Sequence, residues 1–462
     1  MKIAILGFGR EGKSLFKYLK SRGPTRMEPR LRRPRTLSAV ARYGGRRRIN
    51  ADENETWVLD ENAKTKVPAG VKSRLGGKYL SNLSGFDWIF RSPGIPYNLP
   101  QLKKARRDGT KISSAVKLFF EAADRKGAKI IGITGSKGKT TTATLIYKIL
   151  KAAGFRVFLA GNVGTSALDI LQRLDKKSLV VLELSSFQLQ DMDVSPHIAV
   201  LLDIFPEHQD AHGSLNEYYA AKGNITRHQK RNDVVFYLPP NPISSKLAHL
   251  GRGKKIPVFT PKPLFAKSWG LKIPGEHNFK NAAVAAAVAE YLKIPPKIIF
   301  RTLANFRGVE HRLELIRKIS LKSAYIHFYN DSASTNPHTT AAAIQAFGDK
   351  PVVLLAGGYD KGLSYKPVAE ALCRSSVKLV VLYGANRQKI AHTIRPAGVP
   401  IKMVRNIVSA VKTAYRYAKS YKLKAKSWVI LLSPGAASFD QFQNYTERGR
   451  IFKKLVKKLR AR

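Results

Sequence analysis

The run Gly132-Ile133-Thr134-Gly135-Ser136-Lys137-Gly138-Lys139-Thr140-Thr141-Thr142 restricts this chain to a narrow set of folds. It joins an apolar, strand-like stretch from Ala128 to Ile133 to a helix-like stretch from Thr141 to Ala153. Glycines at a strand-to-helix turn let backbone N–H groups wrap phosphate oxygens, and the helix N-terminus adds positive potential. Gly135, Ser136, Lys137 and Gly138 then form the loop, and Thr141 enters the helix. Lys139 would reach the terminal phosphates and the Thr140 hydroxyl would face Mg²⁺. The spacing departs from the standard phosphate loop, because Ile133 stands where its first glycine would be. What remains is T-G-x-x-G-K-T-T, and it predicts a nucleotide phosphate site on a parallel α/β sheet.

With 462 residues, the chain exceeds a single core and fits about three domains. Its single cysteine, Cys373, excludes intramolecular disulfides and fits a reducing compartment. Strand-like residues begin at Ile3, which leaves no room for a signal peptide, and no stretch reaches the length of a membrane span. The expectation is a soluble, cytoplasmic, monomeric protein. The charge is unusual: 82 basic and 31 acidic residues give +51. Such a balance favours adventitious polyanion binding. It is spread along the chain, without a zinc finger or an aromatic-interleaved RNA motif, so no specific nucleic-acid partner is expected.

The first segment reads as a small dinucleotide-type unit. Ile3–Leu6 is a buried strand, Gly7-Phe8-Gly9-Arg10-Glu11-Gly12 is G-x-G-x-x-G, and Ser14–Lys20 is helical. That fingerprint calls for an acidic residue about 20 positions on, at the end of a second strand. The strand-like candidate, Thr56–Leu59 followed by Asp60, comes too late unless residues 24–54 are excised. That stretch carries nine arginines between Arg26 and Arg48 and reads as a mobile basic insertion. Farther on, Phe86–Phe90 is strand-like and ends in Arg91-Ser92-Pro93-Gly94, a forced turn where an open sheet collects its ligand.

Two further segments repeat one grammar, apolar runs that end in polar or glycine residues. In the middle they are Ile130–Ile133, Val157–Leu159, Leu179–Leu182, Ile198–Leu202 and Val234–Tyr237, with an alanine-rich helix at Glu276–Tyr291. In the last third they are Tyr325–Tyr329, Val352–Leu355, Leu379–Leu382 and Trp428–Leu432, before a basic amphipathic helix at Ile451–Arg462. Buried parallel strands look like this. The predicted architecture is α/β in three domains. A Rossmann-like unit (1–111) precedes a central phosphate-loop mononucleotide-binding unit (112–308) and a second Rossmann-like unit (309–462).

Polar clusters follow the central strands on the loop's side of the sheet. Asn162 in Gly161-Asn162-Val163-Gly164 could fix a bound carbonyl or phosphate. Glu183, opening Glu183-Leu184-Ser185-Ser186-Phe187-Gln188, is placed to hold Mg²⁺ between phosphates. Two histidines beside carboxylates in Glu207-His208-Gln209-Asp210-Ala211-His212 point to a functional site rather than a structural one.

The ordered set T-G-S-K-G-K-T-T-T, G-N-V-G, E-L-S-S-F-Q-L, H-Q-D-A-H-G-S with A-A-K-G-N-I, and G-E-H-N-F-K-N-A resembles the Mur ligases. Asn330–Asn336 (N-D-S-A-S-T-N) and Leu431–Phe442 (L-L-S-P-G-A-A-S-F-D-Q-F) are similar to the members that add D-glutamate. The resemblance runs from Gly7 to Gly449, broken mainly by residues 24–54. It implies ligation of D-glutamate to UDP-N-acetylmuramoyl-L-alanine through an acyl phosphate made from ATP. The alternative is a sister Mur ligase, or a folylpolyglutamate-type enzyme, that adds a different amino acid.

By position, the resemblance assigns Lys139 and Thr140 to phosphate and metal, Glu183 to a first Mg²⁺ and His208 to a second. Lys222 matches a lysine that is carbamylated in the family and so becomes a carboxylate-like metal partner; Asn162 falls near the reacting carboxylate. Asn278 and Asn281 match adenine contacts, and Arg312 and Asp331 match other nucleotide contacts. Lys361, Ser438 and Tyr445 fall where the family binds the D-glutamate carboxylates, and Asp60, Ser92 and Gly94 fall near the UDP site. Ala333 replaces a lysine common in D-glutamate-adding members, which removes a positive charge for which Lys361 would compensate.

Overall fold

The computed structural model describes residues 1–21, 55–206, 212–260, 269–321, 324–420 and 427–459. The 24–54 stretch and His208 lie outside them. The chain divides into two compact units, Met1–Phe259 and Thr260–Arg462. It is a mixed α/β protein whose strands form three largely parallel sheets.

The first unit holds two of them. Strands β1 (Lys2–Leu6), β2 (Glu55–Asp60), β3 (Lys72–Leu75), β4 (Trp88–Arg91) and β5 (Lys111–Ser113) order as β3-β2-β1-β4-β5. Lys2 pairs with Glu55 and Leu6 with Leu59, so β2 does sit beside β1 once residues 24–54 are passed over. The order reverses between β1 and β4, where such sheets open a ligand crevice. The helix after β1 is Arg10–Ser21, starting earlier than the expected Ser14. Gly12 is required at its first turn, because a Cβ there would run into the Gly7 carbonyl.

Strands β6 (Lys129–Thr134), β7 (Val157–Gly161), β8 (Leu179–Glu183), β9 (Ile198–Leu201), β10 (Val234–Tyr237) and β11 (Lys254–Pro257) form the second sheet, β11-β10-β9-β6-β8-β7. β8 and β9 are buried at every position, which is why they read as unbroken apolar runs rather than alternating ones. The helix Ala115–Arg125 joins the two sheets of this unit. Its N-cap, Ser114, accepts from the Lys117 N–H, and Val116, Phe119, Phe120 and Ala123 enter a core shared with Ile3, Phe90, Ile130 and Val180.

The second unit holds the helices Glu276–Tyr291 and Pro296–Asn305 and one sheet. Its strands are β12 (Glu314–Ser320), β13 (Tyr325–Asn330), β14 (Val352–Ala356), β15 (Val377–Leu382), β16 (Ile401–Met403) and β17 (Ser427–Leu432), ordered β12-β13-β17-β14-β15-β16. β12 is the surprise. It pairs antiparallel with β13, and its half-buried residues give no apolar run to read. The last helix runs Tyr445–Lys458, six residues earlier than the amphipathic pattern suggested, because the Asn444 side chain caps it by accepting from the Glu447 N–H. Among the described residues no helix is long and apolar enough to cross a membrane.

Candidate active site

In the first unit the glycine-rich turn links β6 to the helix Lys139–Ala152, as the sequence predicted. Gly138 is its N-cap in the left-handed conformation, φ 83°, which only glycine adopts without strain. A Cβ on Gly135 would lie 2.7 Å from Leu202 Cβ, so the loop packs tightly on the chain leaving β9. Ser136 is structural rather than ligand-facing. Its N–H donates to the Asp203 carbonyl at 2.8 Å, and its hydroxyl bonds the Phe205 backbone and the Tyr218 hydroxyl. Lys137 stands exposed at the loop tip, while Thr140 and Thr141 are half-buried in the first helical turn.

Two ammonium groups converge on one carbonyl. Lys139 Nζ donates to Gly135 O at 2.8 Å and to Ser136 O at 2.9 Å, and Lys222 Nζ donates to Gly135 O at 2.9 Å. Lys222 is only 2% exposed and lies over the Tyr218 ring. The structure thus brings Lys222 to the loop from the distant helix Leu215–Arg227. Glu183 ends β8 in register with Ile133 of β6 and Gly161 of β7, so its carboxylate leaves the sheet in the same row as the loop. Asn162 is exposed directly beyond Gly161, and its N–H donates to the Glu183 carbonyl at 3.2 Å. Gly161 permits that bond: its φ is 101°, and a Cβ there would strike the same carbonyl. His212 has a packing role, stacked 4.8 Å from Phe187 and bonded to Ser186 Oγ at 2.9 Å.

The other candidates of this unit line a cleft of about 390 Å³ at the β1/β4 switch point, walled by Gly7, Gly9, Arg10, Asp60, Ser92 and Gly94 among others. A Cβ at Gly9 or Gly94 would meet nothing within 4 Å, so both glycines leave room for a ligand. Asp60 accepts from the Phe8 N–H at 2.6 Å, the Asn62 N–H at 2.9 Å and the Thr65 hydroxyl at 3.1 Å. It therefore ties the glycine turn to the end of β2. Ser92 donates to the Gly7 carbonyl at 2.6 Å.

A buried ionic group beside this cleft, whose lining Glu11 joins, escaped the sequence reading. Arg91, at the end of β4, is flanked by Asp191, and Glu11 accepts from Gln188 at 2.5 Å. Burial pushes the Glu11 and Asp191 carboxyls up and the Arg91 guanidinium down. The available signal was an arginine closing the otherwise apolar Trp88-Ile89-Phe90.

In the second unit Asp331, Lys361 and Ser438 follow the C-terminal ends of β13, β14 and β17, whereas Asn278 and Asn281 lie apart in the helix Glu276–Tyr291. Asp331 follows β13 and accepts from Ser334 Oγ at 2.5 Å, Ser433 Oγ at 2.7 Å and the Leu313 N–H at 3.2 Å. Burial raises its carboxyl to about 6 against those bonds. Arg312 is exposed on the turn that Asp331 holds. The loop after β14 zips onto the loop after β17 through Tyr359 N–H to Ala437 O, 2.9 Å. This places exposed Lys361 with its Nζ 6.0 Å from the Phe439 ring centre. Ser438 is 2% exposed in the same loop. Tyr445, 44% exposed, opens the last helix and accepts from Ser332 Oγ at 2.8 Å. Ala333 donates its N–H to the His311 carbonyl. Asn278 and Asn281 are buried in the first turns of their helix, with Asn281 Nδ2 3.3 Å from Asn278 Oδ1.

Arg448 went unassigned in the sequence and organises this end of the sheet. Fully buried, it donates to Ser332 Oγ and O (both 2.9 Å) and to Ala436 O (3.0 Å), stapling the loops after β13 and β17.

The family model described as Mur ligase middle domain matches residues 133–262, and that described as Mur ligase, glutamate ligase domain matches residues 311–435. A UDP-N-acetylmuramoylalanine–D-glutamate ligase of Acetivibrio thermocellus is 38% identical over 85% of this chain and 87% of its own length. One of the same name from Geobacillus kaustophilus is 38% identical over 88% of this chain and 92% of its own. The crystal structure of the UDP-N-acetylmuramate–alanine ligase of Thermotoga maritima superposes with a TM-score of 0.54 at 17% identity, covering 99% of both chains. It shares the fold.

Proposed function

The chain belongs to the Mur ligase family, and from that premise we propose that it adds D-glutamate to UDP-N-acetylmuramoyl-L-alanine. The reaction is an ADP-forming carboxylate–amine ligation in peptidoglycan precursor synthesis. One observation carries the reading: relatives named for this reaction match 85–88% of the chain, and the Mur ligase middle domain matches residues 133–262, which hold the loop where Lys139 and Lys222 converge.

A carboxylate resists amine attack because its leaving group would be oxide. Transfer of the ATP γ-phosphoryl group to an oxygen of the L-alanyl carboxylate gives an acyl phosphate and ADP. The D-glutamate nitrogen then bonds the acyl carbon, the tetrahedral intermediate expels inorganic phosphate, and the nitrogen loses its proton. Little covalent work falls to the protein, so positioning and charge stabilisation dominate.

In the reading we favour, Lys139 balances charge on the transferred phosphoryl group, and Gly135 and Lys137 to Thr141 cradle the phosphates, with Ser136 fixing the loop from within. Thr140 and Glu183 offer the hard oxygen donors that suit Mg²⁺, and Glu183 is a buried residue at the strand end next to the loop. Mg²⁺ supplies neutralisation between phosphates when bound. His208 and a carbamylated Lys222 would complete a second site. Asn162 would orient the reacting carboxylate, and the cleft lined by Asp60, Ser92 and Gly94 would take the UDP moiety. Asn278, Asn281, Arg312 and Asp331 would contact the nucleotide, and Lys361, Ser438 and Tyr445 the D-glutamate carboxylates. The functional division we propose is 1–111 for the UDP-sugar, 112–308 for ATP and 309–462 for the amino acid. A cytoplasmic monomer is the expected form.

The test is phosphate release by the purified protein with ATP, Mg²⁺ and UDP-N-acetylmuramoyl-L-alanine across a panel of amino acids. Release with D-glutamate alone supports the reading. Release with another amino acid keeps the ligase chemistry and overturns the substrate.

A further inference from the structure

The guanidinium of Arg91 spans two structural pieces of the first unit. Its Nη1 donates to the Ile95 carbonyl at 2.6 Å, closing the Ser92–Ile95 turn that walls the cleft. Its Nη2 donates at 2.9 Å to the Phe187 carbonyl, in the short helix Ser186–Leu189 that begins three residues after Glu183. Gln188 of the same helix forms a second bridge. Its Nε2 donates to Glu11 of the first helix, while its Oε1 accepts from the Ser185 N–H at 2.9 Å and so caps its own helix.

The energetics argue against a simple stabilising role. Arg91 is 1% and Asp191 6% exposed at the side chain, and their closest approach is 3.7 Å. Among the described residues, neither Asp191 oxygen, nor Arg91 Nε, nor Glu11 Oε2 has a hydrogen-bond partner. Burying groups so poorly satisfied carries a desolvation cost that their mutual attraction does not repay, and well-packed apolar residues would stabilise the fold as well or better. What an apolar residue cannot do is tie two backbone segments at fixed separation. A planar guanidinium, whose donors sit in a rigid fork, can, whereas a lysine carries its donors on one freely rotating nitrogen and fixes no such separation.

We propose that Arg91 is a positioning residue for the ligation: it sets the UDP-sugar cleft at a fixed distance from the Glu183 strand end. The acceptor carboxylate then meets the phosphoryl group in line. The inference rests on the functional reading above and deepens it. It assigns no contact between Arg91 and substrate, whose binding surface consists of the cleft residues themselves.

The decisive experiment compares Arg91→Lys with the parent enzyme by three measurements: kcat for phosphate release, calorimetric Kd for UDP-N-acetylmuramoyl-L-alanine, and Tm. A misplacement near 1 Å at a reacting centre is worth about 100-fold. Loss of the guanidinium leaves the Asp191 carboxylate and at least one of the two carbonyls short of a partner, so Tm falls. With kcat and Kd read well below both midpoints, we expect kcat to fall at least about tenfold and Kd to stay within about threefold of the parent. A second variant, Arg91→Met with Asp191→Asn, removes the Arg91–Asp191 charge pair at similar volume while leaving Glu11 in place, and should show the same selective loss of kcat. Parental kcat in either variant overturns the inference, as does a loss that tracks weakened Kd or a loss of folded protein at the assay temperature. A parent that binds but never turns over this substrate refutes the functional reading instead.

Discussion

Asp331 offers a quantitative test of how the second unit is wired. Its carboxyl is fully buried and raised from 3.8 to about 6, because desolvation outweighs the hydrogen bonds from Ser334, Ser433 and Leu313. Below pH 3.8 the group is protonated folded or unfolded and adds no pH dependence. Between 3.8 and 6 the unfolded chain is ionised and the folded chain is not, so each pH unit costs about 1.4 kcal/mol of stability. Above 6 both states are ionised and the full cost, about 3 kcal/mol, is in place. About half of that, roughly 1.4 kcal/mol, falls between pH 5 and 7.5. Asp331→Asn removes the titration while leaving an amide that bonds the same two hydroxyls. Urea unfolding of parent and variant at several pH values isolates the term as a difference. The variant should gain about 1.4 kcal/mol on the parent as pH rises from 5 to 7.5. A difference independent of pH would refute the reasoning, because Asp331 would then be ionised in the fold throughout.

Other substitutions probe the remaining parts of the site. Lys139→Ala should lower kcat for phosphate release by about 10²–10³-fold through lost charge at the phosphoryl group; near-parental ADP production sinks the phosphate-loop assignment. Lys222→Ala should lose activity and recover part of it with formate or acetate standing in for the carbamate, and full activity without them would exclude carbamylation. Gly449→Ala pushes a methyl group into the buried His311 ring, which bonds Asn330 Nδ2 at 2.9 Å. The overpacking should cost about 1–3 kcal/mol in thermal unfolding, and an unshifted Tm would mean that the ring can move aside.

Local grammar in the sequence was enough for the glycine-rich turn between β6 and the helix Lys139–Ala152, the buried strands of the second sheet and the helix Glu276–Tyr291. Each depends on a contiguous pattern: glycines at a strand-to-helix turn, unbroken apolar runs, or an alanine-rich repeat. Asp60 was legible for a related reason, since the spacing of a G-x-G-x-x-G unit demands an acid after the next strand and β2 supplies it beside β1. β12 was not legible, because an edge strand buries too little of each side chain to need an apolar code. Tertiary structure alone decided the rest. It brought Lys222 to the Gly135 carbonyl, sent Ser136 inward and turned His212 into a packing residue against Phe187. It also placed Arg91 between the turn at Ile95 and the helix at Phe187, and Arg448 between the loops after β13 and β17. The physical reason is common to all five. Each has at least one partner far away in sequence, and a buried polar group must find its hydrogen bonds wherever the packed backbone offers them.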